Sequence, residues 1–182
     1  TIIGGMAQDG KSFFYVNPLE VKPEACEKNP TKHHVKPVRQ KWFACACCPP
    51  NITRTLTSLG QYIYTVNEDT VYTNLYIGGE AAISVGNNEI KLIQETGYPW
   101  NGKVLIKVFT KEESNFTIAL RIPSWCSEAK IKVSNEVINI DETILNGYVL
   151  INRVWRDCDK IELILKMPIL RMKANPLVNA DI

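Results

Sequence analysis

Three of the six cysteines crowd into four positions, Cys45, Cys47 and Cys48, within the string CACCPPN at 45–51. Disulfides that brace a small secreted domain are spread out, so that each closes a loop. Crowded cysteines suit a metal site or a reactive thiol better. Adjacent cysteines such as Cys47 and Cys48 rarely bond to each other, because the joining peptide would distort, yet both can reach one soft cation. Zinc takes thiolate sulfur in tetrahedral sites, with carboxylate or imidazole completing the shell. Pro49-Pro50-Asn51 stops any strand and can open a helix, since proline is tolerated in a first turn. A thiol just ahead of a helix N-terminus meets unpaired N–H groups and the positive end of the dipole, which favour the thiolate. The competing reading is structural: small buried residues at a tight strand-to-helix turn. Cys45 shares a side with Cys47 in an extended segment and is open to the same two readings. Cys26, Cys126 and Cys158 read as small buried hydrophobes.

Other groups offer less. His33 and His34, the two histidines, lie in a polar, proline-flanked loop and read either as ligands or acid–base groups or as surface residues. Acid–base hydrolytic chemistry asks for two carboxylates, or one carboxylate and another nucleophile. Asp9, Glu20, Glu24 and Glu27 stand upstream of the cysteines, and none has a distinctive setting. Trp100, Trp125 and Trp155 flank strand candidates, where packing at sandwich edges is expected rather than an exposed row for sugar stacking.

The elements that position these residues change character near residue 65. Ser12-Phe13-Phe14-Tyr15-Val16 is aromatic and β-prone, after an Asp9-Gly10 turn and before Asn17-Pro18. Residues 20–37 are polar, contain three prolines and read as a loop. Gln40–Phe43 is a short strand candidate leading into the cysteines. Ile52, Leu56 and Leu59 at helical spacing predict a helix over 50–60, stopped at Gly60. From residue 62 the period becomes two. Strands are predicted at 62–66, 70–76, 81–85, 89–95, 103–109, 115–122, 129–133, 137–140, 148–152 and 160–166. Turn residues punctuate them at 67–69, 78–79, 86–88, 101–102 and 146–147. Many short alternating strands predict an antiparallel β-sandwich, so the fold class is mainly β.

The totals exclude several classes. With 45% hydrophobic and 22% charged residues, the 182-residue chain has a globular composition. No apolar run approaches the ~20 residues of a membrane-spanning helix. A net charge of +2, with basic residues loosely grouped only at 28–41, predicts no nucleic-acid partner. The opening residues lack the basic and apolar regions of a signal peptide, so a cytoplasmic location is favoured. They also lack an initiator Met, so a piece of a longer protein is expected.

With these residues assembled, a resemblance emerges. QKWF followed by CACCPPN resembles the active-site segment of the bacterial β-L-arabinofuranosidase family of glycoside hydrolases. DGKSFFYVNPLE at 9–20 resembles the strand pair leading to it. GYPWNGKVLIKV, LRIPSWCSEAKIKV and GYVLINRVWRDCDKIELILKMP resemble its sandwich, in order and spacing, so that the likeness spans nearly the whole chain. It implies the tail of an (α/α)6 barrel over 1–65, a β-sandwich over 66–168, and a linker or further element over 169–182. It implies Cys47 as a nucleophile that forms a thioglycosyl intermediate with retention, and zinc bound by Cys47 and Cys48. It also implies a glutamate and a cysteine as further zinc ligands and a separate acid/base glutamate, all before residue 1. Tyr15 is implied along the sugar pocket. Two positions depart from the family: Cys158 stands where a glycine is usual, and Ser134-Asn135-Glu136 replaces an Asn-Gly turn. Both are expected to affect local turns and not chemistry.

Three functions follow: a hydrolase of β-L-arabinofuranosides or related sugars; a non-catalytic carbohydrate-binding sandwich; and a structural zinc-thiolate module. The carbohydrate is the expected partner in the first two. Without the barrel, Phe13, Phe14, Trp42 and Phe43 are expected to lose partners, which favours loosening or self-association of residues 1–60 through the exposed surface.

Overall fold

The structure is a computed structural model that describes residues 2–15, 22–28, 35–43 and 47–177. It divides into two compact units, one formed by Thr1–Ser58 with Leu170–Ile182, the other by Leu59–Ile169. The first contains short helices α1 (Ile2–Gly5) and α2 (Pro23–Lys28) and the longer α3 (Cys48–Ser58). No helix among the described residues is long and apolar enough to cross a membrane.

The second unit is a β-sandwich, as the period of two predicts. Its strands are β1 (Tyr64–Asn67), β2 (Thr70–Thr73), β3 (Gly79–Val85), β4 (Asn88–Thr96), β5 (Lys103–Thr110), β6 (Ser114–Arg121), β7 (Ala129–Val133), β8 (Glu136–Val137), β9 (Ile144–Leu145), β10 (Tyr148–Trp155) and β11 (Asp159–Leu165). One sheet has the order β1-β2-β6-β10-β9, the other β3-β4-β5-β11-β7-β8. Neighbours run antiparallel except β2 and β6, which pair in parallel. The connection between these two is long enough to carry three strands of the opposite sheet, which removes the need for a tight reversal.

Alternation places one face of each strand in the core. Ile90 and Leu92 of β4, Val104, Ile106 and Val108 of β5, and Ile161, Leu163 and Leu165 of β11 face Val71, Phe116, Ile118, Leu120, Val149 and Trp155 of the other sheet. Each such side chain contributes about 1.5–3 kcal/mol by leaving water. Central strand β6 is covered on both faces: Thr117 and Ala119, which point away from the core, are also buried. Asn152 Nδ2 donates to Thr117 Oγ1 at 2.9 Å, and the Tyr72 and Tyr148 rings meet edge-on at 5.3 Å on the strands flanking Ala119.

The differences from the sequence reading have local causes. The predicted strand 70–76 ends its ladder at Thr73; Tyr76 instead buries its ring and donates to the Arg121 carbonyl at 2.6 Å. The predicted strand 137–140 is split into β8 and a single helical turn, α4 (Ile140–Thr143), whose Thr143 Oγ1 donates to the Asn139 carbonyl. The three tryptophans do not share one fate. Trp155 is fully buried, its Nε1 donating to the Phe116 carbonyl at 2.9 Å. Trp125 is 38% exposed and stacks on Tyr98. Trp100, expected at a packed edge, is 92% exposed. Cys158, expected to be buried, is exposed, whereas Cys126 packs partly against the core.

Both departures from the family's turns fall at strained backbone. Ser134 and Asn135 have φ of 45° and 80°, as a two-residue type I′ hairpin requires, and asparagine tolerates this region well. Cys158 has φ 66°, between β10 and β11, where a side chain crowds its own carbonyl. Cys158→Gly is therefore expected to stabilise the sandwich by about 1 kcal/mol, read as a higher urea midpoint at unchanged m-value. Trp155→Ala is expected to cost about 3–5 kcal/mol by leaving a cavity and an unpaired carbonyl, whereas Trp100→Ala should change stability by less than about 0.5 kcal/mol in the same measurement.

Candidate active site

The first unit brings two distant segments to one place. Ala7 N–H donates to the Ser12 carbonyl and Gly10 N–H to the Ala7 carbonyl, with Gly10 at φ 69°, so the chain reverses at the Asp9-Gly10 turn. Phe13 bridges Met6 on one side and Gln40 on the other. With Gln40 it exchanges both backbone hydrogen bonds, each 3.0 Å. The predicted strands at 12–16 and 40–43 thus reduce to single bridges, with Val16 outside the described residues.

Side chains hold this arrangement. Phe43 is 6% exposed, and its ring lies 5.2 Å from Phe13 and 5.4 Å from Tyr15. The Arg39 guanidinium sits 4.8 Å over the Phe14 ring and donates to the carbonyls of Gly4 and Gly5, in the last turn of α1. Phe43 thus keeps partners within these residues, while Trp42 is exposed.

The helix predicted over 50–60 starts two residues earlier, at Cys48, and gives way to a 3-10 turn at Leu59–Tyr62. Cys47 is the residue before its first turn: its carbonyl accepts from Asn51 N–H at 3.2 Å and from Asn51 Nδ2 at 2.8 Å. Asn51 Oδ1 in turn accepts from Arg54 at 2.6 Å. Proline fits the first turn because it has no N–H to leave unpaired there. The Cys47 side chain is exposed, and its Sγ lies 3.0 Å from Tyr15 Oη, a hydrogen bond in which either atom can donate. The structure therefore brings Cys47 and Tyr15 together across 32 positions of sequence.

Cys48 follows Cys47 as the first residue of α3; its side chain and that of Cys26 lie outside the described residues, as do Cys45, His33, His34 and Glu20. Among the described residues no three His, Cys, Asp or Glu side chains stand close enough to hold a metal ion. The soft sulfur chemistry of a cysteine pair suits zinc, but two thiols are half of a tetrahedral set. Asp9 is an exposed turn residue that accepts from Lys11 N–H, and Glu24 and Glu27 are exposed on α2.

Sequence reasoning did not single out Asn51 or Arg39. Asn51 was findable, since an amide four residues after Cys47 can reach back along a helix to its carbonyl. Arg39 had no such signal: its contacts are with Phe14 and the end of α1, which only the fold brings near.

Two family models match the chain. One, described as the β-L-arabinofuranosidase GH127 middle domain, covers residues 70–167; the other, the GH127 catalytic domain, covers residues 1–61. A non-reducing end β-L-arabinofuranosidase of Bifidobacterium longum subsp. longum is 33% identical over 98% of this chain and 27% of its own length. The crystal structure of a GH127 β-L-arabinofuranosidase from Geobacillus stearothermophilus T6 superposes with a TM-score of 0.87 at 47% identity, over 96% of this chain and 27% of that one. A structure described as a GH127 β-arabinofuranosidase gives a TM-score of 0.77 at 35% identity, over 97% and 28%. The chain thus spans about a quarter of the length of these relatives.

Phe43 packs on both Phe13 and Tyr15 and so supports the segment that carries Tyr15. Phe43→Ala is expected to remove about 3 kcal/mol of local stability. Amide exchange at Phe13 and Gln40, whose N–H groups bond across the bridge, should accelerate by more than about tenfold.

Proposed function

This chain belongs to the GH127 β-L-arabinofuranosidase family, and on that premise we propose that it supplies the nucleophile of a retaining glycoside hydrolase acting on β-L-arabinofuranosides or related sugars. The observation that carries the reading is the 3.0 Å contact between Tyr15 Oη and Cys47 Sγ, with Cys47 at the mouth of α3. A sulfur beside the start of a helix lies near the positive end of its dipole, where negative charge is favoured. A tyrosine hydroxyl that donates to it stabilises a thiolate and fixes its direction.

Cys47 Sγ attacks the anomeric carbon. The C–S bond forms as the glycosidic C–O bond breaks, and the leaving oxygen takes a proton from a general acid. Water, giving its proton to the conjugate base of that acid, then attacks from the face that the leaving group vacated, opposite the sulfur, which returns the thiolate and gives net retention. Cys47 and Cys48 would be two of the ligands of a zinc ion, which when bound keeps sulfur in its deprotonated form. Tyr15, with its ring held by Phe43, orients Cys47 and stands where it can line the sugar pocket. The family resemblance assigns the remaining ligands and the acid/base glutamate to sequence before Thr1, and the 182-residue chain alone is proposed to be inactive, since general acid catalysis contributes about 10²–10⁴-fold.

In a complete enzyme carrying this sequence, Cys47→Ser should lower turnover of p-nitrophenyl β-L-arabinofuranoside by roughly 10⁴-fold or more. Tyr15→Phe should lower kcat/KM by about 10–100-fold, the worth of one hydrogen bond to a charged group. An arabinofuranosyl haloacetamide should label Cys47, identified by peptide mass. Undiminished turnover by Cys47→Ser would remove the nucleophile assignment, and turnover by the isolated chain at the complete enzyme's rate would show that the acid lies within these residues.

A further inference from the structure

The loop between β4 and β5 carries an exposed indole on a hydrogen-bonded backbone. Trp100 N–H and Asn101 N–H both donate to the Gly97 carbonyl, at 2.9 and 3.3 Å. Asn101 Oδ1 accepts from Lys103 N–H at 3.0 Å, and Thr96 Oγ1 donates to the Lys103 carbonyl at 2.9 Å while accepting from Tyr98 N–H at 3.0 Å. Both feet are glycines. A Cβ on Gly102 would collide with the backbone carbonyl of Leu165, whose N–H in turn donates to the Gly102 carbonyl, and one on Gly97 would push aside the Asn101 side chain. Tyr98 anchors the loop on its inner side: its ring meets Tyr76 edge-on and stacks on Trp125, itself part-exposed. Flexible loops expose tryptophan incidentally; this one is fixed by its own hydrogen bonds with the indole 92% exposed.

Beside the loop, on the outer face of the six-stranded sheet, lies an open depression of about 510 Å³. Gly97 and Asn101, which bracket the Tyr98-Pro99-Trp100 tip, form one side of it. Across its floor, Glu95, Lys103 and Glu162 offer acceptors and a donor among Leu105 and Ile164. Glu95 is paired with Lys107, so the charges nearly balance. A balanced set of donors and acceptors favours neither an anion nor a cation, and a rigid aromatic face loses little entropy on binding. A neutral sugar ring matches both features, since it presents a face of C–H groups and a rim of hydroxyls.

We propose that the β4–β5 loop and this depression form a carbohydrate-binding surface of the sandwich, with Trp100 as the platform on which a sugar ring stacks. The proposal rests on the carbohydrate reading above for the class of ligand, but it uses other residues.

The test is a titration of the ¹⁵N-labelled chain with a β-L-arabinofuranosyl disaccharide, and with cellobiose as a second neutral sugar, followed at the tryptophan indole N–H signals. The Trp100 signal should move and saturate at millimolar concentration, while that of buried Trp155 stays in place. Trp100→Ala should weaken binding by at least about tenfold with an unchanged circular dichroism spectrum, Trp100→Phe should retain part of it, and Cys47→Ala should bind like the parent chain. A Trp100 signal that neither sugar moves overturns the proposal, as does binding that Cys47→Ala abolishes and Trp100→Ala spares. A Trp100 signal that shifts with protein concentration and not with sugar also overturns it, and makes the surface a contact between copies. A complete enzyme without turnover on β-L-arabinofuranosides, with the Trp100 response intact, would count against the hydrolase alone; turnover in the complete enzyme with no Trp100 response would count against this surface alone.

Discussion

A β-sheet with one apolar face cannot stand alone in water, and the sandwich is the consequence of that constraint. Each inward side chain of β4, β5 and β11 is buried because the five-stranded sheet covers it, and Val71, Phe116, Leu120 and Trp155 are buried for the reciprocal reason. The same requirement explains the polar exceptions. Trp155 enters the core because the Phe116 carbonyl takes its N–H, and Tyr76 because the Arg121 carbonyl takes its hydroxyl. Burial of the Tyr76 ring pushes its pKa upward, so the hydroxyl stays a donor.

In the first unit the same force acts with fewer residues. Phe43 is buried by Phe13 and Tyr15, and these are held near it by one pair of backbone hydrogen bonds between Phe13 and Gln40. The cost of ordering two loops is offset there by a small aromatic cluster and by Arg39, which ties the Phe14 ring to the end of α1. The cluster therefore does for Tyr15 what a longer ladder would do elsewhere: it fixes the direction of a hydroxyl.

Turns carry the individuality of the chain. Cys158 occupies a left-handed position that glycine would fill without strain, and Ser134-Asn135 makes a hairpin in which both residues have positive φ. The β4–β5 loop shows the opposite case, where glycine is required by close approach: at Gly102 the neighbouring Leu165 carbonyl leaves no room for a Cβ. The same loop leaves the Trp100 indole 92% exposed.

The residues alone announced the sandwich, because period two over successive segments between Gly and Asn turns has one physical meaning: a sheet buried on one side. They also announced a helix after Cys47-Cys48, because Pro49-Pro50 and the spacing of Ile52 and Leu56 admit little else. The candidate nucleophile was legible as a thiol at a helix start, and its family from CACCPPN with the strings around it. Tertiary structure decided what local pattern cannot encode. It paired β2 with β6 in parallel, a choice between distant segments of equal local character. It cut the strands at 12–16 and 40–43 to single bridges, since few neighbours extend their ladders. It separated three tryptophans of similar sequence setting into buried, stacked and exposed, because burial depends on which surface lies opposite. And it set Tyr15 against Cys47, from segments far apart in the chain, with Phe43 packed on the Tyr15 ring.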